Sequence, residues 1–82
     1  MALYFVDYDL RKQRDYQKLY DALNALTSVR VLESLWAFNH GNISCSQVRD
    51  HSKQFIDSDD RLVVSQVTDW ATYGALKSPP NP

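Results

Sequence analysis

Residues 3–10 read LYFVDYDL, and this stretch decides the fold because it predicts the first strand of a sheet. Aromatic and β-branched residues dominate it, as they do in strands, and successive side chains alternate between two faces. Leu3 and Phe5 begin one face, and Tyr4 and Val6 begin the other. Because both faces begin with apolar residues, we predict that this strand is central in its sheet.

After the strand, the spacing of apolar residues becomes that of a helix that begins near Asp15. A carboxylate at that position is favoured by the unpaired amides and the dipole of the helix start. The apolar stripe of the helix is formed by Tyr16, Leu19, Leu23 and Leu26. A capping box of Ser44 and Gln47 predicts a second helix, which we expect to run to about Ile56.

The remaining stretches of extended character predict the other strands. Residues 29–39, VRVLESLWAFN, are long for one strand. Two alternatives stay open, a single strand or two short strands divided by a bulge near Glu33 or Ser34. Residues 61–68, RLVVSQVT, predict the next strand, and residues 70–76, WATYGAL, could add a short final one.

The order of these elements predicts an α+β fold. We expect a ferredoxin-like βαββαβ sandwich, with two helices on one face of an antiparallel sheet and the option of an extra C-terminal strand. An 82-residue chain is too short for a second core, so residues 1–76 should form one domain. Residues 77–82, which are rich in proline, should form a flexible tail.

A fold of this kind leaves one face of the sheet bare, and a second copy of the chain could cover it. The chain has two tryptophans, five tyrosines and three phenylalanines, a large aromatic content for so small an interior. A symmetric homodimer would bury some of these rings. The alternative is a monomer whose tyrosine hydroxyls face water. The residues expected in the dimer interface are Tyr4, Val6, Tyr8, Trp36, Trp70 and Tyr73.

Composition excludes some classes of partner. A net charge of −1 and a pI near 6.0 give no global attraction to nucleic acid or to membranes. No apolar run approaches the roughly 20 residues of a membrane span, so we expect no membrane association. The single cysteine, Cys45, excludes an internal disulfide and fits a reducing cytoplasm. A local basic cluster could still hold phosphates, and it contains Arg11, Lys12, Arg14 and Lys18.

Three motifs occur in order along the chain. The opening strand ends in VDYDL at residues 6–10, RVLESLW follows at 30–36, and FID at 55–57 precedes RLVV at 61–64. In this order and spacing the motifs resemble the second CRISPR-associated protein family, the small dimeric partner of the spacer integrase. The resemblance covers residues 3–68. It extends to the virulence-associated protein D toxins and to short bacterial proteins called the SinR family.

The resemblance implies a metal site at the end of the first strand. It implies that Asp9 from each of two subunits binds a divalent ion, Mg or Mn, for phosphodiester cleavage of RNA or DNA. The residue types agree with this, because Mg²⁺ needs only one or two carboxylates besides phosphate oxygens and water. Asp7 lies on the same strand face, so both Asp9 and Asp7 are catalytic candidates. The alternative for Asp9 is a carboxylate that caps the following turn.

Other polar residues complete the candidate site. The residues expected to contact nucleic acid are Arg11, Lys12, Arg14, Arg30 and Ser34, although a bulge is the simpler explanation of Ser34. The acidic stretch Asp57–Asp60 lacks the glycine and the distal glutamate of a calcium loop, so we predict a solvated loop there. The alternative to a nuclease is a non-catalytic dimeric adaptor that binds nucleic acid, or a protein partner such as an integrase-like protein or an antitoxin.

Overall fold

The computed structural model describes residues 2–11, 16–41 and 43–80. The sheet is antiparallel throughout, with the strand order β2-β3-β1-β4, so the first strand is central as predicted. The α+β, ferredoxin-like architecture is therefore confirmed. Its elements are β1 (Ala2–Asp9), α1 (Gln17–Ala25), β2 (Val29–Leu32), β3 (Leu35–His40), α2 (Cys45–Ser52), a 3₁₀ turn (Lys53–Phe55) and β4 (Arg61–Val67).

The main core lies between the sheet and the two helices. β1 places Tyr4, Val6 and Tyr8 in this core, and β3 adds Trp36 and Phe38. These side chains are at most 8% exposed within a single chain. The assignment of Tyr4, Val6, Tyr8 and Trp36 to a dimer interface on the bare face is therefore wrong, because they already face the helices.

The C-terminal segment, residues 68–80, covers part of the other sheet face. It forms no strand, so the option of an extra strand over residues 70–76 is not realised. Trp70 instead packs with Ala75 against a second small core of Leu3, Val31 and Ala37. The sheet face is therefore partly covered by its own chain rather than bare, and Trp70 belongs to that cover. Tyr73, by contrast, is fully exposed.

The end of this segment is also held to the body of the protein. The backbone N–H of Leu76 donates to the carbonyl oxygen of Val31 at 2.8 Å. Pro79 is buried, whereas a flexible tail over residues 77–82 would leave it exposed. Residues 81–82 lie outside the described residues.

Residues 29–40 form two strands, which decides between the alternatives left open by the sequence. A turn at Glu33 and Ser34 joins β2 to β3, and the register shifts between Arg30 and Leu32. The guanidinium of Arg30 donates to the carbonyl of Glu33 at 2.7 and 3.1 Å, which holds the turn closed. Arg30 also lies over the rings of Tyr20 and Trp36, at 5.0 and 5.4 Å from their centroids.

The helices follow the predicted stripes with shifted ends. α1 begins at Gln17, and Asp15, expected at its start, lies outside the described residues. α2 has the predicted capping box, in which the hydroxyl of Ser44 accepts from the amide of Gln47. α2 ends at Ser52 rather than near Ile56, and a 3₁₀ turn continues it. Within the described parts of the chain, no helix has the length and apolarity needed to cross a membrane.

Candidate functional site

Asp9 lies at the exposed end of β1, between two arginines. Its register partner on β4 is Arg61, and Arg11 follows it two positions along the chain. The guanidinium nitrogens of Arg11 and Arg61 lie 3.8 and 4.0 Å from the same oxygen, Oδ2 of Asp9. Exposed ion pairs of this kind contribute only about 0–1 kcal/mol each. A cation at Asp9, or a phosphate at the arginines, could therefore replace them at small cost.

Asp7 lies on the same sheet face as Asp9, as the strand alternation predicted. It is exposed, and its register partners are Leu35 on β3 and Val63 on β4. A shallow depression of about 250 Å³ lies at this end of the sheet. Its lining comes from the paired ends of β1 and β4, namely Asp7, Tyr8, Asp9, Arg61, Leu62 and Val63.

The other predicted contact residues are distributed differently. The carbonyl of Ser34 accepts from the N–H of Tyr8 at 3.0 Å, so the β2–β3 turn lies at the same end of the sheet as Asp9. Arg30 packs on the helix side, whereas Asp9 lies on the opposite face. Lys12 and Arg14, expected to contact nucleic acid, lie outside the described residues. Arg61 could not be identified from the sequence, because its place beside Asp9 depends on a long-range strand pair.

The acidic loop between the 3₁₀ turn and β4 is a second cluster of carboxylates. Oxygen atoms of Asp57, Asp59 and Asp60 all lie within 4.8 Å of one another, so the three side chains could hold a metal ion. The sequence predicted a solvated loop for this stretch. The sequence signal for such a metal site was the presence of three aspartates within four residues. Their oxygens converge only because the folded turn brings them together.

Asp60 joins this loop to the end of β1. Its Oδ1 accepts from the backbone N–H of Arg11 at 2.8 Å and from the hydroxyl of Tyr16 at 3.1 Å. Its Oδ2 accepts from the N–H of Asp57 at 2.9 Å. The acidic loop and Asp9 therefore lie at the same end of the β1–β4 pair, and Asp60 already has a structural role there.

A buried network lies beneath the site, on the helix side of β1. The hydroxyl of Tyr8 accepts from Nε1 of Trp36 at 2.9 Å and donates to the carbonyl of Glu33 at 3.0 Å. Burial raises the pKa of Tyr8 above its ordinary value of 10.0, and the hydrogen bond from Trp36 opposes this shift only in part. The network connects β1 to the β2–β3 turn.

Tyr8→Phe tests this network through the pH dependence of stability. Near neutral pH we expect the change to cost about 1–3 kcal/mol, because the buried Trp36 N–H loses its acceptor. Because the folded pKa is raised, the contribution of Tyr8 is complete below pH 10.0 and is lost as pH rises through the folded pKa. The difference between wild type and Tyr8→Phe should therefore shrink at alkaline pH.

Urea unfolding of both proteins, monitored by circular dichroism across this pH range, measures that difference. Tyr73→Phe is the matched control, since the Tyr73 side chain is fully exposed. A difference between wild type and Tyr8→Phe that stays constant with pH would contradict the assignment.

No protein-family model matches the chain, and no solved structure matches it at a significant level. The structure itself shows a small α+β fold with βαββαβ order.

Proposed function

We propose that the chain is a homodimeric, nuclease-like protein that cleaves phosphodiester bonds of RNA or DNA with Mg or Mn at the Asp9 end of β1. The observation that carries the proposal is the juxtaposition at this strand end. One exposed carboxylate has two guanidinium groups within 4.0 Å, and Asp7 lies on the same sheet face. Carboxylates and positive charges side by side are the groups that a metal and a phosphate each need.

The residues at this site suit a magnesium-type ion. Such an ion keeps several waters and needs one or two carboxylates besides phosphate oxygens, and Asp9 offers an exposed carboxylate with weakly held partners. Arg11 and Arg61 would bind the backbone phosphate once they leave Asp9. When bound, the ion would lower the pKa of an attacking water and stabilise charge on the phosphoryl oxygens.

Asp9→Asn tests the catalytic proposal. We expect cleavage of labelled RNA or DNA in Mg²⁺ or Mn²⁺ to fall by roughly 100-fold or more, because the ligand charge at the metal is lost. Thermal unfolding should change little, because the carboxylate is 63% exposed. A chelator should abolish wild-type cleavage.

Asp69→Asn is the matched control, because it makes the same change at an exposed residue beyond β4. It should cleave at the wild-type rate. The proposal fails if the wild-type protein cleaves neither RNA nor DNA with either ion. It also fails if Asp9→Asn cleaves as fast as wild type.

A second candidate is a non-catalytic dimeric adaptor for nucleic acid or for a protein partner such as an integrase-like protein or an antitoxin. The observation that favours it is that two exposed apolar residues, Leu32 and Tyr73, line a cavity of about 220 Å³ under the C-terminal segment, in which Leu76 is also exposed. Clustered exposed apolar surface often marks an interaction site. For this function Asp9→Asn would be silent, and Tyr73→Ala would weaken partner binding.

A further inference from the structure

The two edges of the sheet differ in how accessible their backbones are. β2, at one edge, has four residues and a register shift, and its Val31 carbonyl already accepts from Leu76. β4, at the other edge, has seven residues in unbroken register with β1. Among the described residues, no other strand pairs with β4. Proteins commonly block such an edge with proline, lysine or a bulge, and β4 has none of these.

The hydrogen bonds of β1 indicate which groups of β4 point outward. The N–H of Tyr8 bonds to Ser34, so the backbone groups of Tyr8 point toward β3. Because these groups alternate along a strand, those of Asp7 point toward β4, where its partner is Val63. The backbone groups of Val63, and of every second residue along β4 in both directions from it, therefore bond to β1. The outward N–H and C=O groups belong to Leu62, Val64 and Gln66.

We infer that a second copy of this chain pairs with this edge, β4 antiparallel to β4, about a twofold axis at Val64. This register pairs Leu62 with Gln66 of the second copy, and Val64 with its equivalent. In this register all three residues of each copy with outward backbone groups donate and accept a hydrogen bond across the interface. A register shifted by one residue would leave some of these groups without a partner on the second copy. The pair forms one continuous sheet.

The side chains of β4 suit this pairing. A twofold axis at Val64 pairs even-numbered residues of one copy with even-numbered residues of the other, and odd-numbered with odd-numbered. Directly paired residues point to the same face of a sheet, so the helices of both copies lie on the same side of the joined sheet. Val63, which is exposed, then lies opposite Ser65. Arg61 is the one charged residue of β4. It lies opposite Val67 of the second copy, so no like charges meet.

This inference specifies the interface of the homodimer in the proposed function and rests on that part of it, whereas it is independent of nuclease activity. The equivalent Arg61 residues would be offset by six positions, or roughly 20 Å along the strands. Asp9 stands beside Arg61 in the sheet. The two Asp9 carboxylates would therefore be too far apart to share an ion, unlike the arrangement that the resemblance to the CRISPR-associated family implies.

Gln66→Pro tests the pairing, because it removes an outward N–H without touching a bond to β1. Light scattering coupled to gel filtration should give wild type a mass twice the chain mass of 9.5 kDa. We expect Gln66→Pro to weaken association by roughly tenfold or more. Gln66→Ala, which loses the same exposed side chain and keeps the N–H, should associate as wild type does. A monomeric wild type, or two variants that associate equally well, overturns the inference.

Amide hydrogen exchange on the wild-type protein provides a second test, which requires no variant and therefore does not depend on whether a variant folds. The amides of Leu62, Val64 and Gln66 should exchange more slowly as protein concentration rises. The amides of Val63 and Ser65, which bond to β1, should be protected at every concentration. A dimer in which the three outward amides remain unprotected would mean that the sheet face or another surface is the interface, and would overturn the inference.

Discussion

Phe38→Ala is expected to lower the free energy of unfolding by about 3–5 kcal/mol, the largest effect we predict for a single substitution. Phe38 lies on β3 beneath the helices and is 0% exposed. Its ring stacks on that of Tyr4, with centroids 5.4 Å apart. Removing the ring loses apolar burial and leaves a cavity between sheet and helices. Small domains have only about 5–15 kcal/mol of stability in total, so this variant should unfold at much lower urea concentrations.

Urea titration followed by circular dichroism measures this effect. Tyr73→Ala is the control, because it also deletes an aromatic ring but from a side chain that is 103% exposed. Its free energy of unfolding should stay within about 0.5 kcal/mol of wild type. Equal losses in the two variants would mean that Phe38 does not lie in the core described above.

Asp60→Ala should lower the free energy of unfolding by about 2–4 kcal/mol, because hydrogen bonds to a charged group contribute about 1.5–3 kcal/mol each and are not additive. The carboxylate accepts from the backbone of Arg11 and Asp57 and from the hydroxyl of Tyr16, whose side chain is buried. Its removal separates the acidic loop from the end of β1 and leaves these donors without that acceptor.

Asp69→Ala provides the matched control for this prediction. It removes an aspartate from an exposed position after β4 and should change stability by less than about 0.5 kcal/mol. Both variants can be compared with wild type by thermal and urea unfolding. A loss for Asp60→Ala that is no larger than the loss for Asp69→Ala would show that the bonds of Asp60 do not stabilise the loop.

The fold could be predicted where local patterns determine it. The apolar stripe of α1, the capping box of α2 and the alternation of β1 are properties of short stretches, and each has its expected counterpart. The choice of the helix-facing side of β1 could not be predicted this way. Both faces of that strand begin with apolar residues, so the side that carries Tyr4 is selected by packing against α1 and β3.

The conformation of the C-terminal segment also could not be predicted from a local pattern. Its stretch WATYGAL has the aromatic and small residues of a strand, but Gly74 adopts a positive φ of 69°, which interrupts extended backbone. The segment then bonds to β2 through Leu76. That contact joins residues 45 positions apart (76 − 31), which no short sequence pattern encodes.

Part of the candidate site could likewise be predicted from the sequence, and part could not. Strand alternation was enough to place Asp7 and Asp9 on one face. The position of Arg61 beside Asp9 required the register of β1 with β4, and the convergence of the acidic loop required the turn closed by the Asp60 N–H and the Asp57 carbonyl at 3.1 Å. Both depend on contacts formed only in the folded chain.

The bond between Leu76 and Val31 also bears on solubility. A sheet with two open edges can add molecules at both ends without limit, and such growth produces fibres. Here the backbone N–H of Leu76 bonds to the carbonyl of Val31 on the edge strand β2, so under the proposed pairing of β4 with β4 growth would stop at two molecules. In that arrangement the segment that covers the sheet face would also limit filament growth.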